Sequence, residues 1–341
     1  MPTRLPIPGQ DATNWGTLLN NFIRSYVVNV QDHGADPTGA ADSTSAFNTA
    51  INNAPTNGGI VYVPTGTYII NASIVMKSNI YLMGAGYNTI LRKKASSGQF
   101  SIITSGGTTT SNAIIDNLRI DGNKASQSVT TSGQEGILFS GGSSNNLISN
   151  VRIENTVNDG INLTGDENSI TACLFRTIGA GTANGVKGGI TITGKKVQIY
   201  ANQFHTTVDH GIKLNTGSHQ AVITDNAFYD CKNSGINIQG SNFVSVLGNT
   251  LQSCSISGIT LTGSCSACTV NGNAVTNSTG PGIIFSTGSR HTVVGNISAD
   301  NSTYGILFSG VTSSVASGNY ALRNASGQIS GITFDTDNNW G

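Results

Sequence analysis

Most of the chain repeats one short pattern: a polar residue, then glycine, isoleucine, any residue and a second apolar residue. The stretch from Asp209 to Ser218 is a representative copy. A fixed period of a few tens of residues is typical of a solenoid, in which each repeat forms one rung and stacked rungs bury a continuous core. The glycines lie 22 to 29 residues apart, at Gly136, Gly160, Gly189, Gly211, Gly235, Gly258, Gly282, Gly305 and Gly331.

A second column of residues repeats in phase with the glycines, within the pattern apolar-x-apolar-x-x-Asn-x-apolar. Its members are Asn150, Cys173, Asn202, Asn226, Asn249, Asn273, Asn296 and Asn319. Stacked asparagine side chains at a turn can hydrogen-bond from rung to rung, as in other stacked-strand structures. Together the two columns predict an all-β fold, a right-handed single-stranded parallel β-helix over residues 58–335 with roughly eleven rungs.

Residues 1–26 lack the repeat and predict an N-terminal arm or prefix. An extended segment leads there into a short amphipathic helix around Asn14 to Phe22. Residues 27–341 are then the β-helix domain. We expect the prefix to be either an attachment segment or a cap over the first rung.

Residues 27–57 predict a capping helix at the start of the solenoid. Asp42 or Ser43 can cap its N-terminus. The apolar residues that follow share one helical stripe. Such a helix would cover the open end of the β-helix, where bare strand edges would otherwise pair with other chains. The stripe consists of Ala46, Phe47, Ala50 and Ile51.

The composition narrows the range of functions. Charged residues make up only 10% of the chain and the net charge is zero, so nothing marks a nucleic-acid partner. No stretch is long and apolar enough to span a membrane. The sequence after Met1 does not lead into a hydrophobic region, so no signal peptide is visible.

The five cysteines predict buried thiols and not a metal centre. Cys265 and Cys268 have CxxC spacing, but a zinc site would need two more ligands nearby, and none is seen. An odd number of cysteines predicts no disulfide framework. The sequence therefore predicts no metal and no cofactor, and it gives no support for bound Ca²⁺.

The segments Val28–Asp36 and Gly58–Tyr68 resemble the N-terminal signature of the pectate-lyase-like superfamily of parallel β-helix proteins. That superfamily includes polygalacturonases, alginate epimerases and phage depolymerases. The prefix is similar to N-terminal segments of phage tail-fibre and tailspike proteins. The resemblance implies a polysaccharide or cell-surface glycan as partner and an extracellular or virion-tail location. It is also compatible with a homotrimer.

The catalytic motifs of these relatives are not intact. Polygalacturonases use Asn-x-Asp, Asp-Asp, Gly-His-Gly and Arg-x-Lys, and the nearest match here is Asp209-His210-Gly211 followed by Lys213. The Tyr-Gly-Phe-Asp-Pro-His motif of alginate epimerases is absent. The resemblance thus carries over the fold and the substrate class, while the site must be argued from the residues themselves.

Ionisable residues crowd onto consecutive rungs between positions 135 and 229, beside an enlarged loop at 177–188. Histidine can exchange protons near neutral pH, carboxylates can orient it or act as acids, and Lys or Arg can pair with a substrate carboxylate. The catalytic candidates are His210, Asp209, Asp159, Glu135 and His205. The substrate-binding candidates are Lys213, Lys187, Arg176, Tyr229 and Glu154.

Stacking gives these candidates expected positions. Glu135 and Asp159 should lie one rung apart, about 5 Å. Asp159 and His210 should lie two rungs apart on the same face, about 10 Å. Lys187 and Asp209 are placed to form an ion pair. We expect His210 at the edge of its rung and not in the core.

Three functions follow from this pattern. The first is cleavage of an acidic polysaccharide, as a lyase or a glycoside hydrolase. The second is non-enzymatic binding of a glycan or receptor by a tail-fibre or surface structural protein, since neutral faces rich in Asn, Ser and Thr can hold sugars without breaking them. The third is a uronate C5-epimerase, which shares the first proton abstraction of a lyase.

Overall fold

The computed structural model describes residue 7 and residues 13–24, 26–129, 133–180, 188–331 and 339–340. Short parallel strands dominate it and stack rung upon rung into three faces, which confirms the predicted parallel β-helix. The described helices are Trp15–Arg24 and Thr44–Asn53, with 3₁₀ turns at Val30–His33 and Lys124–Ser126. Neither of the two α-helices reaches the length and apolarity that crossing a membrane requires.

The first and second faces share two long strands, Ile114–Asp121 and Leu147–Glu154, which turn the corner between them. The other strands of the first face are Val27–Asn29, Gly59–Val63, Ile80–Gly84, Ser169–Thr171, Gln198–Tyr200, Val222–Thr224, Ser245–Leu247, Thr269–Asn271, Thr292–Val294 and Val315–Ser317. The other strands of the second face are Thr38–Asp42, Gly66–Ile70, Thr89–Lys93, Leu174–Ile178, Gln203–Thr207, Ala227–Cys231, Thr250–Gln252, Ala274–Thr276, Ile297–Ala299, Tyr320–Leu322 and Asn339–Trp340.

The third face is an 11-stranded parallel sheet, in line with the predicted number of rungs. Its strands are Ile74–Val75, Ile103–Thr104, Ile137–Phe139, Ile161–Thr164, Ile190–Thr193, Ile212–Leu214, Ile236–Gln239, Ile259–Thr262, Ile283–Phe285, Tyr304–Phe308 and Gly327–Ser330. A short ladder of Cys265–Ser266, Gly288–Ser289 and Val311–Thr312 follows the third face in the later rungs.

The core consists of like side chains stacked in register. Ile161, Ile190 and Ile212 are paired on neighbouring strands of the third face and are fully buried. On the second face the rings of Phe175, Phe204 and Phe228 stack with 4.6 Å between successive centroids. One rung could not bury these side chains alone, so the stacking itself creates the apolar interior.

The repeated glycine is required by close packing between rungs. A Cβ atom at Gly211 would lie 2.4 Å from Phe228 Cδ1 and 2.7 Å from the carbonyl oxygen of Gly235. The same kind of clash is present at Gly160 and Gly189. Each of these glycines therefore lets the turn before the third face pass directly over the core of a neighbouring rung.

The predicted asparagine column forms a continuous internal ladder. The backbone N–H and the Nδ2 of Asn202 both donate to Asn226 Oδ1 at 3.0 Å, and Asn226 donates in the same way to Asn249. The pattern continues to Asn319. Asn150 was wrongly included, because the strand Leu147–Glu154 runs straight through this corner and pairs Val151, not Asn150, with the rung position of Cys173.

The capping helix is present as predicted. Helix Thr44–Asn53 buries its apolar stripe, with Phe47 and Ile51 fully inaccessible. Asp42 provides the cap, since its Oδ1 accepts the backbone N–H of Thr44 at 3.0 Å. The helix of the prefix, Trp15–Arg24, leaves Trp15 45% exposed. The division between prefix and β-helix domain stays a prediction.

Candidate functional site

The candidate site is built on the turn that leads from the second face to the third. Gly136 donates its N–H to the carbonyl of Asp159 at 3.1 Å, and Gly189 donates to that of His210 at 3.0 Å. These bonds fix Glu135, Asp159 and His210 in one column, with position 188 between the last two. The prediction that Asp159 and His210 share a face is therefore confirmed.

Glu135 is buried and both of its carboxylate oxygens are occupied. Oε2 accepts the hydroxyl of Ser101 at 2.6 Å, and Oε1 accepts the backbone N–H of Gly133 at 3.2 Å. Only 5% of the residue is accessible. Its role in the described structure is to join the loop at 133 to the preceding rung.

Asp159 is likewise buried and likewise occupied. Oδ1 accepts the backbone N–H of Gly188 at 2.6 Å, and Oδ2 accepts Nδ2 of Asn162 at 3.0 Å. The carboxylate thus ties its own strand to the next rung. Glu135 and Asp159 thus each have both carboxylate oxygens engaged by hydrogen-bond donors.

Asp209 differs from both. Its Oδ1 accepts Nδ2 of Asn233 at 2.6 Å, but its Oδ2 is buried and has no hydrogen-bond partner among the described residues. Nε2 of His210 lies 3.8 Å from Asp209 Oδ1, beyond hydrogen-bond distance. Asp209 is therefore the carboxylate of this turn with an acceptor still free.

His210 lies in the turn between two faces, at the edge of its rung as expected, but it is buried, with 4% of the residue accessible. Its Nδ1 faces the backbone N–H of Ser234 at 3.3 Å, which favours the tautomer with the proton on Nε2. Burial lowers the pKa of the ring, and the charge of Asp209 partly opposes that shift. The imidazole is consequently neutral at pH 7 and directs an N–H towards Asp209.

Lys213 stands next to this pair on the outward side of the third face. Its neighbours in the ladder are Thr191 and Asn237, so it is the one charged side chain between polar ones. The residue is half-buried, and its ammonium group forms no hydrogen bond or ion pair with any described residue. A free cation beside a carboxylate with a free oxygen can bind a substrate that carries a carboxylate and hydroxyl groups.

Four of the predicted site residues lie elsewhere. Glu154, Arg176, His205 and Tyr229 form a row on the second face, each paired with the next in the ladder. The rings of His205 and Tyr229 stack with 4.9 Å between centroids. Burial, followed by the charge of Arg176, lowers the pKa of His205. These four residues belong to a different sheet from Lys213 and do not join the His210 cluster.

Glu154 is an ion-pair partner. It is buried between two arginines that the sequence did not single out, Arg119 and Arg152, and Arg152 Nη2 lies 2.6 Å from its Oε2. The pairing of Arg119 with Arg152 on neighbouring rungs places two like charges together, and the shared carboxylate offsets their repulsion.

Lys93 is a buried cation that sequence reasoning missed. Only 2% of it is accessible, and Nζ donates to Phe100 O and Gln134 Oε1, both at 2.9 Å. Burial lowers its pKa to about 8, against the opposing charge of Glu135. The strand Thr89–Lys93 alternates buried and half-buried residues, so Lys93 occupies an inward position that the alternation alone could have revealed.

Lys187 falls outside the described residues, as does much of the predicted enlarged loop. Over the described ranges, no three His, Cys, Asp or Glu side chains come together as metal ligands. The five cysteines are all buried free thiols, as predicted. The chemistry of the turn thus belongs to its carboxylates, imidazole and ammonium group.

The fold is shared with a phage tailspike protein and a bacterial surface adhesin. A tailspike protein of E. coli bacteriophage HK620, in complex with a pentasaccharide, has a TM-score of 0.75 at 14% identity, covering 94% of this chain and 67% of that one. A surface adhesin of Streptococcus pneumoniae has a TM-score of 0.70 at 17% identity, covering 89% and 93%. At these identities the likeness establishes the fold.

Sequence comparisons identify the family of this chain. A mannuronan C5-epimerase of Azotobacter vinelandii is 25% identical over 228 residues, which are 63% of this chain and 12% of that protein's length. The family model "Periplasmic copper-binding protein (NosD)" matches residues 205–340. The family model "Rhamnogalacturonase A/epimerase, pectate lyase-like" matches residues 27–260, more than half of the chain. The chain therefore belongs to the rhamnogalacturonase A/epimerase, pectate lyase-like family of carbohydrate-active β-helix proteins.

Proposed function

We propose that this protein binds and cleaves an acidic polysaccharide on the third face, at Asp209, His210 and Lys213. One observation carries the proposal: Lys213, half-buried and with an ammonium group that has no described partner, acts electrostatically on His210, whose neighbour Asp209 has an unpartnered carboxylate oxygen. Unpaired buried polar atoms are rare in folded proteins and call for an explanation. A uronate unit would supply both missing partners, a carboxylate for Lys213 and a hydrogen atom for Asp209.

The chemistry that fits these groups best is β-elimination. Lys213 neutralises the uronate carboxylate and so makes the neighbouring C–H bond more acidic. Asp209 Oδ2, which is buried in the free protein and must become exposed when the sugar binds, takes that proton, and the glycosidic C–O bond on the adjacent carbon breaks to leave a C=C bond. The leaving oxygen takes a proton from solvent. His210, neutral and with its Nε2 at 3.8 Å from Asp209 Oδ1, is the neighbouring group that can move into hydrogen-bond distance and position the carboxylate.

A glycoside hydrolase fits less well. It needs two carboxylates flanking the scissile bond, about 5–5.5 Å apart when retaining and 6.5–9.5 Å when inverting. Glu135 and Asp159, the pair that stacking would bring within that range, each have both oxygens occupied by donors. A C5-epimerase remains the second candidate, because it begins with the same proton abstraction and then returns a proton to the other face of the sugar.

The test is a panel of acidic polysaccharides, assayed together for chain length, unsaturated products and change of uronate configuration. Asp209→Asn and Lys213→Met should each lower turnover by roughly 10²–10⁴ while the protein stays folded. Lys196→Met is the matched control, since Lys196 is an exposed lysine paired with Glu167 outside the site. It should leave turnover unchanged.

The outcomes separate the candidate functions. Unsaturated ends identify a lyase, inverted uronates at constant chain length identify an epimerase, and new reducing ends without unsaturation identify a hydrolase. If no polymer of the panel is altered but one binds, and Lys213→Met weakens that binding, the protein is a glycan-binding part of a surface or tail. Full turnover by Asp209→Asn would remove the proposed site. An extracellular or virion location suits each of these functions.

A further inference from the structure

A separate cavity of about 380 Å³ opens beside the second face, away from Lys213. Its volume falls within the roughly 300–1,000 Å³ range of small-ligand pockets. It lies at the turns that follow the second-face strands and contains two cations and a single carboxylate. The cavity is lined by Arg92, Asp121, Asn123, Lys124, Ala125 and Asn155.

The carboxylate of this cavity is already satisfied. Asp121 Oδ1 accepts the N–H of Asn123 at 3.0 Å and Nδ2 of Asn155 at 3.1 Å. Its Oδ2 accepts Nε of Arg92 at 3.0 Å, and the side chain is only 8% exposed. The negative charge is therefore neutralised within the wall and does not repel an anion in the cavity.

The cations retain donors that face outward. Arg92 is 42% exposed, and among its hydrogen bonds to described residues only Nε is engaged. Lys124 Nζ donates to the carbonyls of Thr177 and Gly179 at 2.7 and 2.9 Å, which leaves one of its three N–H groups. With one carboxylate against two cations, the lining carries a net positive charge.

The positive surface extends along the second face to Arg176. Arg92, Asp121, Glu154 and Arg176 occupy one row on four successive rungs. Three rung spacings separate the two arginines, about 14 Å. Glu154 is held by its own arginine partners, whereas the guanidinium of Arg176 is exposed and makes no hydrogen bond or ion pair with a described residue.

We propose that this row is a second, non-catalytic binding site for an acidic oligosaccharide, with one uronate carboxylate bound at Arg92 in the cavity and another at Arg176. Arginine suits the role because its planar guanidinium presents parallel donors to a carboxylate. An oligosaccharide must be long enough to reach both arginines. The site lies in a different sheet from Lys213, so it holds polymer without taking part in the cleavage chemistry.

The experiment measures binding of hexagalacturonate and of neutral maltohexaose by calorimetry, in a Lys213→Met background that blocks the third face. Arg92→Gln and Arg176→Gln should each weaken hexagalacturonate binding about tenfold, the typical effect of losing a charged hydrogen bond. Maltohexaose should bind to none of the variants. Binding should also weaken as salt concentration rises, because the cations are partly exposed.

Arg323→Gln is the matched control, since Arg323 is an exposed arginine paired with Asp300 at 2.6 and 2.7 Å on later rungs. It should bind as the Lys213→Met parent does. Arg176→Gln breaks no described contact, so it stays informative even if Arg92→Gln unfolds. Wild-type affinity in both arginine variants would overturn the proposal. With Lys213 intact, turnover of short substrates should persist when both arginines are replaced, so failure of this site and failure of the third-face chemistry are told apart.

Discussion

Two columns of buried polar side chains run along the same solenoid, and they differ in how completely they are hydrogen-bonded. In the asparagine ladder, Asn226 and Asn249 each donate to the next asparagine and to a backbone carbonyl. In the turn before the third face and the strand that follows it, both amide atoms of Asn158, the hydroxyl of Thr191 and Oδ2 of Asp209 have no partner among the described residues. The first column stabilises the fold, whereas the second retains unused hydrogen-bonding capacity.

The difference teaches where function can be sought in a repetitive fold. Burial alone does not distinguish the columns, since Asn158 and Asn249 are both fully buried. A satisfied polar group stabilises modestly, while an unsatisfied one costs about 1–3 kcal/mol. Several such costs fall within three successive rungs beside the proposed site, which makes this turn the place to test for function.

The largest difference in stability should appear when one asparagine in each column is replaced by leucine. Asn249→Leu should lower the free energy of unfolding by about 1–3 kcal/mol, because it leaves the N–H of Asn226 and the carbonyl of Ile223 without partners. Asn158→Leu should hold or raise stability, because it removes two polar atoms that were already unpaired. Urea titration of both variants measures the difference.

The comparison is broken if the two substitutions cost the same. A loss in Asn158→Leu as large as in Asn249→Leu would mean that Asn158 is bonded in solution and that the turn is as well satisfied as the ladder. The Asn158→Leu variant should still lose affinity for the polysaccharide, which separates a functional role from a structural one.

A smaller effect on stability should come from His291, a buried residue outside both columns that has one unpartnered ring nitrogen. Its Nδ1 faces the N–H of Cys268, its Nε2 is orphaned, and burial lowers its pKa to about 4. The unfolded chain binds the proton near pH 6.5, so stability should fall as pH drops from about 6.5 to 4. His291→Leu should flatten this part of the stability–pH curve, measured by urea titration at successive pH values.

His33→Gln is the control for that experiment, since His33 lies in the N-terminal 3₁₀ turn and is partly exposed. It should leave the curve between pH 6.5 and 4 as steep as in the wild type. An equally steep curve in His291→Leu would show that other groups cause the acid loss. The unpartnered nitrogen of His291 would then have no measurable effect on the free energy of unfolding. Unpartnered buried atoms elsewhere in the fold would also be less informative about function.

The smallest effect should come from the prefix. Removing residues 1–24 should leave the melting temperature almost unchanged, because the described start of helix Trp15–Arg24 is exposed and the cap is provided by Thr44–Asn53. Calorimetry of the shortened protein measures this. A large loss of stability would instead make the prefix a cap over the first rung.

The fold was predictable because the sequence repeats with the period of one rung. The glycines and asparagines repeat at nearly constant spacing, and each is required by a contact with the neighbouring rung, a close approach at Gly211 and a side-chain bond at Asn226. Asn150 was misplaced because the long strand Leu147–Glu154 replaces the usual turn. Sequence spacing cannot distinguish a corner with a turn from a corner crossed by a strand.

The candidate site was only partly predictable. Spacing identifies which residues lie on neighbouring rungs, so the column of Glu135, Asp159 and His210 was found. It does not reveal which faces meet around the cross-section, and therefore His205 was assigned to the wrong group. Lys93 was missed because the early rungs depart from the regular repeat, and its partner Gln134 is 41 residues away.

The asparagine ladder also has a direction. At every step from Asn202 to Asn319 the earlier residue donates and the later one accepts. The side-chain amide dipoles therefore point the same way along the axis and polarise one another. At one end of the column the N–H of Cys173 donates to Asn202 Oδ1, and at the other end Asn319 Nδ2 donates to the carbonyl of Val293 at 2.8 Å. The column is therefore directional along its whole length, since each rung supplies an acceptor to the rung before it and donors to the rung after it.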